Sequence, residues 1–184
     1  MNYRNIPFDD RKTLSLFSSN DLHDIYEFHT ETDLKILSVI QPKTFSGLVK
    51  AYGFSHGSDV WDNNAQDLIS NGTCSVSDAI ATREDIMTYL MRKGMDYCIS
   101  YEIMESVRKG KGINENMEGK LHLQDVPDWY VKSCKKIRYL CSRAYATECA
   151  IRAYSLAYYK VHYPIEFKQA FSSVYPDEHG SGVN

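Results

Sequence analysis

The stretch AYATECAIRAYSLAYYKVH, residues 144–162, decides the fold. One face of the helix that it predicts carries alanine at offsets of 0, 4, 7 and 11: Ala146, Ala150, Ala153 and Ala157. A face without bulk allows another backbone to approach closely, so we expect a long helix packed tightly against other helices. Pro164 is expected to end it, and Phe167 and Phe171 mark a shorter helix beyond it.

Helical signals continue upstream of this stretch. Thr44 is placed to cap a helix that Gly53 would end, and Thr82 with Asp85 forms a capping box before a helix that stops at Gly94. Alternating strand-like runs are almost absent, which favours an all-α fold. We therefore predict one compact helical domain over residues 1–176, followed by a flexible tail at 177–184.

A further helix is predicted to start at Pro127, which is tolerated in a first helical turn. Its buried face would carry residues at offsets of 0, 4, 7 and 11: Tyr130, Cys134, Ile137 and Cys141. Lysines 132, 135 and 136 point elsewhere, so this helix has a cationic side. Between Arg108 and Gly112, three cations and two glycines predict an exposed, flexible loop.

Length and composition limit the class of protein. With 184 residues, 43% hydrophobic and 24% charged, the chain fits one globular domain. It has no stretch near the roughly 18 apolar residues of a membrane span and no apolar signal core at its start, so we expect a cytoplasmic protein without membrane contact. Five cysteines without a CxxC pair favour buried reduced thiols over a disulfide framework or a zinc site.

No catalytic or metal-ligating residues are predicted. The six histidines are scattered and the carboxylates are spread along the chain, so neither a nucleophile with its base nor a two-metal centre is indicated. The glycines at 110 and 112 match neither the dinucleotide fingerprint nor the P-loop.

The charges are distributed unevenly. Residues 108–160 carry eleven Lys and Arg against five Asp and Glu, whereas the remainder carries ten against nineteen. Cations beside glycines or interleaved with aromatic residues suit a phosphate backbone, although they also occur on loops and helix faces that are merely solvated. The residues selected for DNA contact are Arg108, Lys109, Lys111, Lys135, Lys136 and Arg143. On the long helix, Tyr145 is the tyrosine selected for stacking on a base rather than packing.

Several motifs together resemble one stretch of the PolC-type DNA polymerase III alpha subunit, the replicative polymerase of low-GC Gram-positive bacteria. They run from about residue 3 to about residue 175. The most specific are IPFDD at 6–10, FSHG at 54–57, DVW at 59–61, IMESVRKGKG at 103–112, DVPDWY at 125–130, SCKKI at 133–137 and YYKVHYP at 158–164.

This resemblance implies that the chain is the mostly helical fingers region, which closes over the template end and the incoming deoxynucleoside triphosphate. It also implies that the palm, whose carboxylates hold two Mg²⁺ ions, lies outside this sequence. The chain alone would then bind no cofactor and polymerise no DNA. Primer-template DNA is the expected partner, together with other replication proteins or a chain that supplies the palm.

The chain departs from the family where nucleotide is gripped. Family members read IPEFGTRF where this chain has IYEFHTET at 25–32, so Glu31 replaces an arginine, and a further arginine aligns with Leu34. Family members read FPKAHAAAY where this chain has CSRAYATEC at 141–149: Arg143 keeps the charge, while Tyr145 and Cys149 replace histidine and tyrosine. Arg143 and Tyr145 are thus the nucleotide-proximal candidates, and we expect nucleotide selection to be impaired.

Two alternatives to a DNA-contacting fingers module stay open at this point. The first is a non-catalytic interaction protein that keeps the helical scaffold and offers its acidic N-terminal third to a basic partner in a replication complex. The second is a degenerate paralogue that folds because its apolar stripes survive.

Overall fold

The computed structural model describes residues 5–19 and 21–175. Its α-helices are α1 Arg11–Leu16, α2 Glu31–Ile40, α3 Phe45–Ser55, α4 Gln66–Ser70, α5 Arg83–Arg92, α6 Tyr97–Arg108, α7 Glu115–Leu123, α8 Asp128–Lys136, α9 Arg143–His162 and α10 Pro164–Val174. A 3-10 helix spans Tyr26–Phe28, and a kinked turn spans Trp61–Ala65, where Asp62 and Asn63 have non-helical backbone angles. In these ranges the β pairing is limited to one antiparallel bridge, Ser58 with Tyr139, so the predicted all-α fold is confirmed.

The described ranges also bear on two other expectations. No helix within them combines the length and the apolar content needed to cross a bilayer. The tail predicted at 177–184 lies outside the described residues, so both it and the domain boundary at 176 stay predictions.

Helix α9 is the element on which α1, α3 and α10 pack. Its four alanines at 146, 150, 153 and 157 are fully buried. Helix α3 runs antiparallel to it, because Phe45 at the start of α3 meets Tyr154 while Tyr52 farther along meets Tyr145, each pair with ring centroids 5.9 Å apart. The predicted close approach at a face without bulk is confirmed.

Gly53 does not end α3, and that prediction is wrong. The helix continues to Ser55, and Gly53 lies buried within it. A Cβ atom at Gly53 would lie 2.9 Å from the carbonyl oxygen of Ala81, so the missing side chain lets α3 pass close to the segment before α5. The predicted caps are confirmed: Thr44 accepts a hydrogen bond from the Gly47 N–H at 3.1 Å, and Asp85 accepts one from the Thr82 N–H at 2.8 Å.

The helix predicted to carry Cys141 ends earlier, at Lys136. The backbone is extended from Ile137 onward, where the Arg138 N–H donates to the Ser58 carbonyl at 3.0 Å and the Ser58 N–H donates to the Tyr139 carbonyl at 3.0 Å. Cys141 is therefore buried without being on the helix, and its predicted helical position is wrong. Pairing with a distant segment takes the hydrogen bonds that another helical turn would have used.

Helix α7 has no counterpart among the helices predicted from the sequence. Asn114 caps it by accepting a hydrogen bond from the Met117 N–H at 2.9 Å, and Met117 and Leu121 are its buried residues. The available signals, a capping asparagine and an apolar pair four residues apart, are too short to stand out beside the glycine-rich segment before them.

Helix α1 is held to α9 through Asp10. The Asp10 carboxylate accepts a hydrogen bond from the Thr13 N–H at 2.8 Å and pairs with His162 Nε2 at 3.0 Å. The Tyr154 hydroxyl accepts from the Asp10 N–H at 3.1 Å and donates to the Pro7 carbonyl at 2.9 Å. Two side chains of α9 thus fix the start of α1.

We expect this attachment to weaken in acid. Hydrogen bonds from His162 and then Thr13 lower the pKa of Asp10 to about 2. A carboxylate with a lowered pKa stabilises the fold above its unfolded pKa, and this stabilisation is lost as pH falls from about 4 to about 2. Thermal melts across this range should show a steeper fall in Tm for wild type than for Asp10→Asn, which keeps a capping oxygen. Asp9→Asn, at the exposed neighbouring position, should follow wild type, and equal slopes for all three would contradict the assignment.

Candidate nucleic-acid interface

The segment from Arg108 to Gly112 is a hydrogen-bonded turn that closes α6. The Gly110 N–H donates to the Val107 carbonyl at 2.9 Å and the Lys111 N–H to the Ser106 carbonyl at 3.0 Å. The Ser106 hydroxyl donates to the Gly112 carbonyl at 2.7 Å. The predicted loop is a hydrogen-bonded turn, and the first two of these bonds satisfy carbonyl groups in the last turn of α6. Lys109 and Lys111 are nevertheless exposed, as predicted.

The turn lies directly against the extended segment that follows α8. A Cβ atom at Gly110 would be only 2.5 Å from the Arg138 carbonyl oxygen, and the Leu140 N–H faces the Arg108 carbonyl at 3.4 Å. This contact brings Arg138, which was not selected from the sequence, beside the predicted cations. We call Arg108, Lys109, Lys111 and Arg138 the cationic junction.

Glu105 partly neutralises the junction. Its carboxylate accepts two hydrogen bonds from the Arg108 guanidinium, one of them at 2.8 Å, and pairs with Lys109 Nζ at 2.8 Å. The hydrogen bonds from Arg108 lower the pKa of Glu105 most, the bond from Lys109 adds to this effect, and the resulting pKa is about 2. By contrast, the side chains of Lys111 and Arg138 make no hydrogen bond or ion pair with the residues the structure describes. They are the members most available to a phosphate.

The two lysines selected on α8 are directed toward different neighbours. Lys135 Nζ donates to Glu118 Oε1 of α7 at 2.7 Å, and Lys136 Nζ donates to the Asn63 carbonyl in the kinked turn at Trp61–Ala65. Both side chains remain exposed at the end of α8, next to the segment that carries Arg138. They flank the cationic junction rather than belonging to it.

Arg143 belongs to another part of the surface. It lines a cavity of about 660 Å³ bounded by the end of α2, the start of α3 and helix α5. Its guanidinium pairs with Asp85 Oδ1 at 2.8 Å, and its backbone N–H donates to Glu84 Oε2 at 2.7 Å. Arg143 therefore has contacts separate from those of the other five selected cations.

The cavity combines more cations than carboxylates. Lys50 lies 3.1 Å from Asp85 and also donates to the Ala79 carbonyl. Burial lowers the pKa of Lys50. Burial also opposes ionisation of Asp85, but the charge of Lys50 together with hydrogen bonds from the Thr82 and Ala81 N–H groups outweighs it and lowers the pKa of Asp85. Lys43 and Arg92 add two cations against one further carboxylate, Asp78. An anionic group suits such a lining. The sequence did not predict this cavity, because Lys43, Lys50 and Arg92 lie on different elements.

The nucleotide-proximal assignments of Arg143 and Tyr145 stay predictions. Tyr145 is half exposed in the first turn of α9 and contacts the edge of Tyr52. Glu31, which replaces the family's arginine, is exposed in the first turn of α2 and pairs with Lys35 at 2.7 Å. Cys149 is fully buried. Nothing in these contacts restores a cation at position 31 or 34.

The acidic N-terminal third uses many of its carboxylates inside the fold. Lys160 pairs with Asp21 at 2.7 Å and with Asp24 at 3.1 Å, while Arg152 pairs with Glu27 at 2.9 Å. These three acids, like Asp10, are thus bound to basic side chains of α9. The surface that an interaction protein would offer to a basic partner is reduced accordingly.

The described residues do not fit the Mg²⁺ centre that the family implies. They contain no group of three or more His, Cys, Asp or Glu side chains that could hold a metal ion.

The chain is similar to known proteins of one kind. The family model of the bacterial DNA polymerase III alpha subunit finger domain matches residues 1–124. The PolC-type DNA polymerase III of Thermotoga petrophila is 43% identical over 94% of this chain. Those of Caldanaerobacter subterraneus subsp. tengcongensis and Oceanobacillus iheyensis are 42% and 40% identical, each over 97% of this chain. The chain spans only 14%, 14% and 13% of the lengths of these three relatives.

We expect Gly110 to be essential to the junction and Gly112 to be tolerant. Both have left-handed backbone, with φ of +72° and +68°, so alanine at either position carries a similar conformational cost of about 1 kcal/mol. Only at Gly110 would the new Cβ collide with backbone. Gly110→Ala should lower the free energy of unfolding, measured by urea denaturation, clearly more than Gly112→Ala. Equal losses would mean that the turn does not press against Arg138.

Proposed function

The chain belongs to the bacterial DNA polymerase III alpha subunit finger domain family, and we propose that it contacts the DNA backbone during replication as the fingers portion of a PolC-type polymerase. The observation that carries this proposal is the cationic junction, where the cap of α6 meets the segment after α8. Exposed Lys and Arg side chains held on an ordered backbone suit phosphate groups, because binding releases the counterions that surround DNA.

The contact set extends from the junction along α8. Lys111 and Arg138 supply unneutralised charge, Arg108 and Lys109 supply charge shared with Glu105, and Lys135 and Lys136 flank them. Phosphate contacts of this kind position a protein on DNA without reading its sequence, as a polymerase that copies any template requires.

Catalysis belongs elsewhere in this proposal. The Mg²⁺ ions of the family would be held by palm carboxylates on another part of a longer polypeptide or on a partner chain, and other replication proteins are further candidate partners. Nucleotide selection is impaired in this chain, because Glu31 repels the phosphate that an arginine would attract and Arg143 is already paired with Asp85. DNA contact thus survives where nucleotide contact does not.

Removing junction charge should weaken DNA binding. We expect Lys111→Ala/Arg138→Ala to lower affinity for a fluorescent primer-template about tenfold at about 50 mM salt, and to reduce the slope of log affinity against log salt by about 2. Fluorescence anisotropy at several salt concentrations gives both values. Lys12→Ala/Lys168→Ala removes the same charge from exposed positions on α1 and α10 and should leave both values near wild type. Equal losses for the two double variants, or no binding by wild type, would overturn the proposal.

Releasing the neutralised cations should strengthen binding. Glu105→Gln removes the carboxylate that holds Arg108 and Lys109, so we expect a several-fold gain in affinity for the same primer-template. Glu102→Gln, at an exposed position on the same helix, measures the gain from removing a nearby negative charge alone. If both variants gain equally, the pairing with Glu105 does not restrain the junction.

A further inference from the structure

Three exposed tyrosines lie on the two elements that meet at the cationic junction. Tyr97 and Tyr101 of α6 are 61% and 48% exposed, and Tyr139 in the segment after α8 is 50% exposed. Within the described residues, none of their hydroxyl groups has a hydrogen-bond partner and none of their rings packs on another aromatic ring. Large amphipathic rings left open in this way are typical of interaction surfaces.

The tyrosines share a surface with the cations. An α-helix turns 100° per residue, so one side of α6 carries Tyr97, Tyr101 and Arg108 within about 40° of one another. Along the helix axis, Tyr101 lies about 6 Å from Tyr97, and Arg108 lies about 10 Å beyond Tyr101. The neighbours of Tyr139, Arg138 and Leu140, contact Gly110 and the Arg108 carbonyl, which places Tyr139 next to the cap of α6. Hydrogen bonding to Glu105 raises the pKa of Arg108, and the phenols of Tyr101 and Tyr139 lie close enough to add to that rise. We call Tyr97, Tyr101 and Tyr139 the tyrosine strip.

We propose that the tyrosine strip binds single-stranded DNA by stacking on unpaired bases while the cationic junction holds the phosphates. This inference rests on the proposed DNA contact and specifies the form of DNA that is bound. A ring can stack only on a base whose face is open, and the bases of a duplex are already stacked on each other. Cations alone would serve a duplex equally well, so the rings favour the unpaired strand.

Charge also favours nucleic acid over a protein partner. The strip is bordered by Arg108, Lys109, Lys111 and Arg138, so an unpaired strand finds phosphate contacts on the same surface as the rings. An apolar protein surface would have to bury these cations, which is costly.

The test compares the full chain and its variants on a labelled single-stranded oligothymidine and on a duplex of the same length. Tyr101→Leu keeps apolar bulk and removes the aromatic face, and Tyr101→Phe keeps the face. We expect Tyr101→Leu to lose about fivefold or more in affinity for the single strand, with duplex affinity and salt slope unchanged, and Tyr101→Phe to bind as wild type. Tyr163→Leu, an exposed tyrosine at the start of α10, should bind the single strand as wild type does. Equal Tm values establish that the variants are folded.

The outcomes separate this inference from the proposed function. If Lys111→Ala/Arg138→Ala weakens both forms of DNA while Tyr101→Leu weakens neither, the stacking role is overturned and the backbone contact stands. If the charge variant weakens neither form, the proposed function itself fails. If Tyr101→Leu leaves DNA binding intact but abolishes association with a palm-bearing polymerase chain, the strip is a protein contact and the inference is wrong.

Discussion

The close contact of α9 with its neighbours through fully buried alanines is the constraint on which the rest of the structure depends. At such positions a larger side chain would overpack the interface, at a cost of about 1–3 kcal/mol. With α3 fixed along α9, Ser58, which follows α3, comes within reach of residues 138 and 139. The cap of α6 packs on the segment that contains Arg138. The candidate interface is therefore a consequence of helix packing rather than of one local motif.

Part of the charge is used in ion pairs between separate elements of the fold. Acidic residues of the N-terminal third pair with basic residues of α9, and Asp85 joins Lys50 of α3 to Arg143. These pairs connect elements that are distant in sequence. Among the described residues, the side chains of Lys111 and Arg138 stay unpaired where the cap of α6 meets the segment after α8, so a chain with net charge −3 still offers cations there.

Family membership and geometry address different questions. The similarity to PolC-type polymerases assigns the chain to the fingers region, while the contacts indicate which family features are still usable. The junction cations are exposed on an ordered cap, whereas the position aligned with a family arginine holds Glu31 paired with Lys35. In the proposed function, the same scaffold keeps a surface for phosphate backbone and loses part of a grip on triphosphate.

The sequence by itself determined the features that depend on near neighbours along the chain. The caps at Thr44 and Thr82, the alanine face of α9, the fold class and the motifs that reveal the family all follow from local hydrogen bonds and periodicity. Only the tertiary structure decided that Gly53 lies inside α3 and that the backbone after Ile137 is extended. It also decided that Glu105 restrains two cations and that Arg138 joins the junction. Each of these features depends on contacts between residues tens of positions apart, or on which face of a helix stays exposed to solvent after packing. A pattern along the chain does not specify such contacts directly.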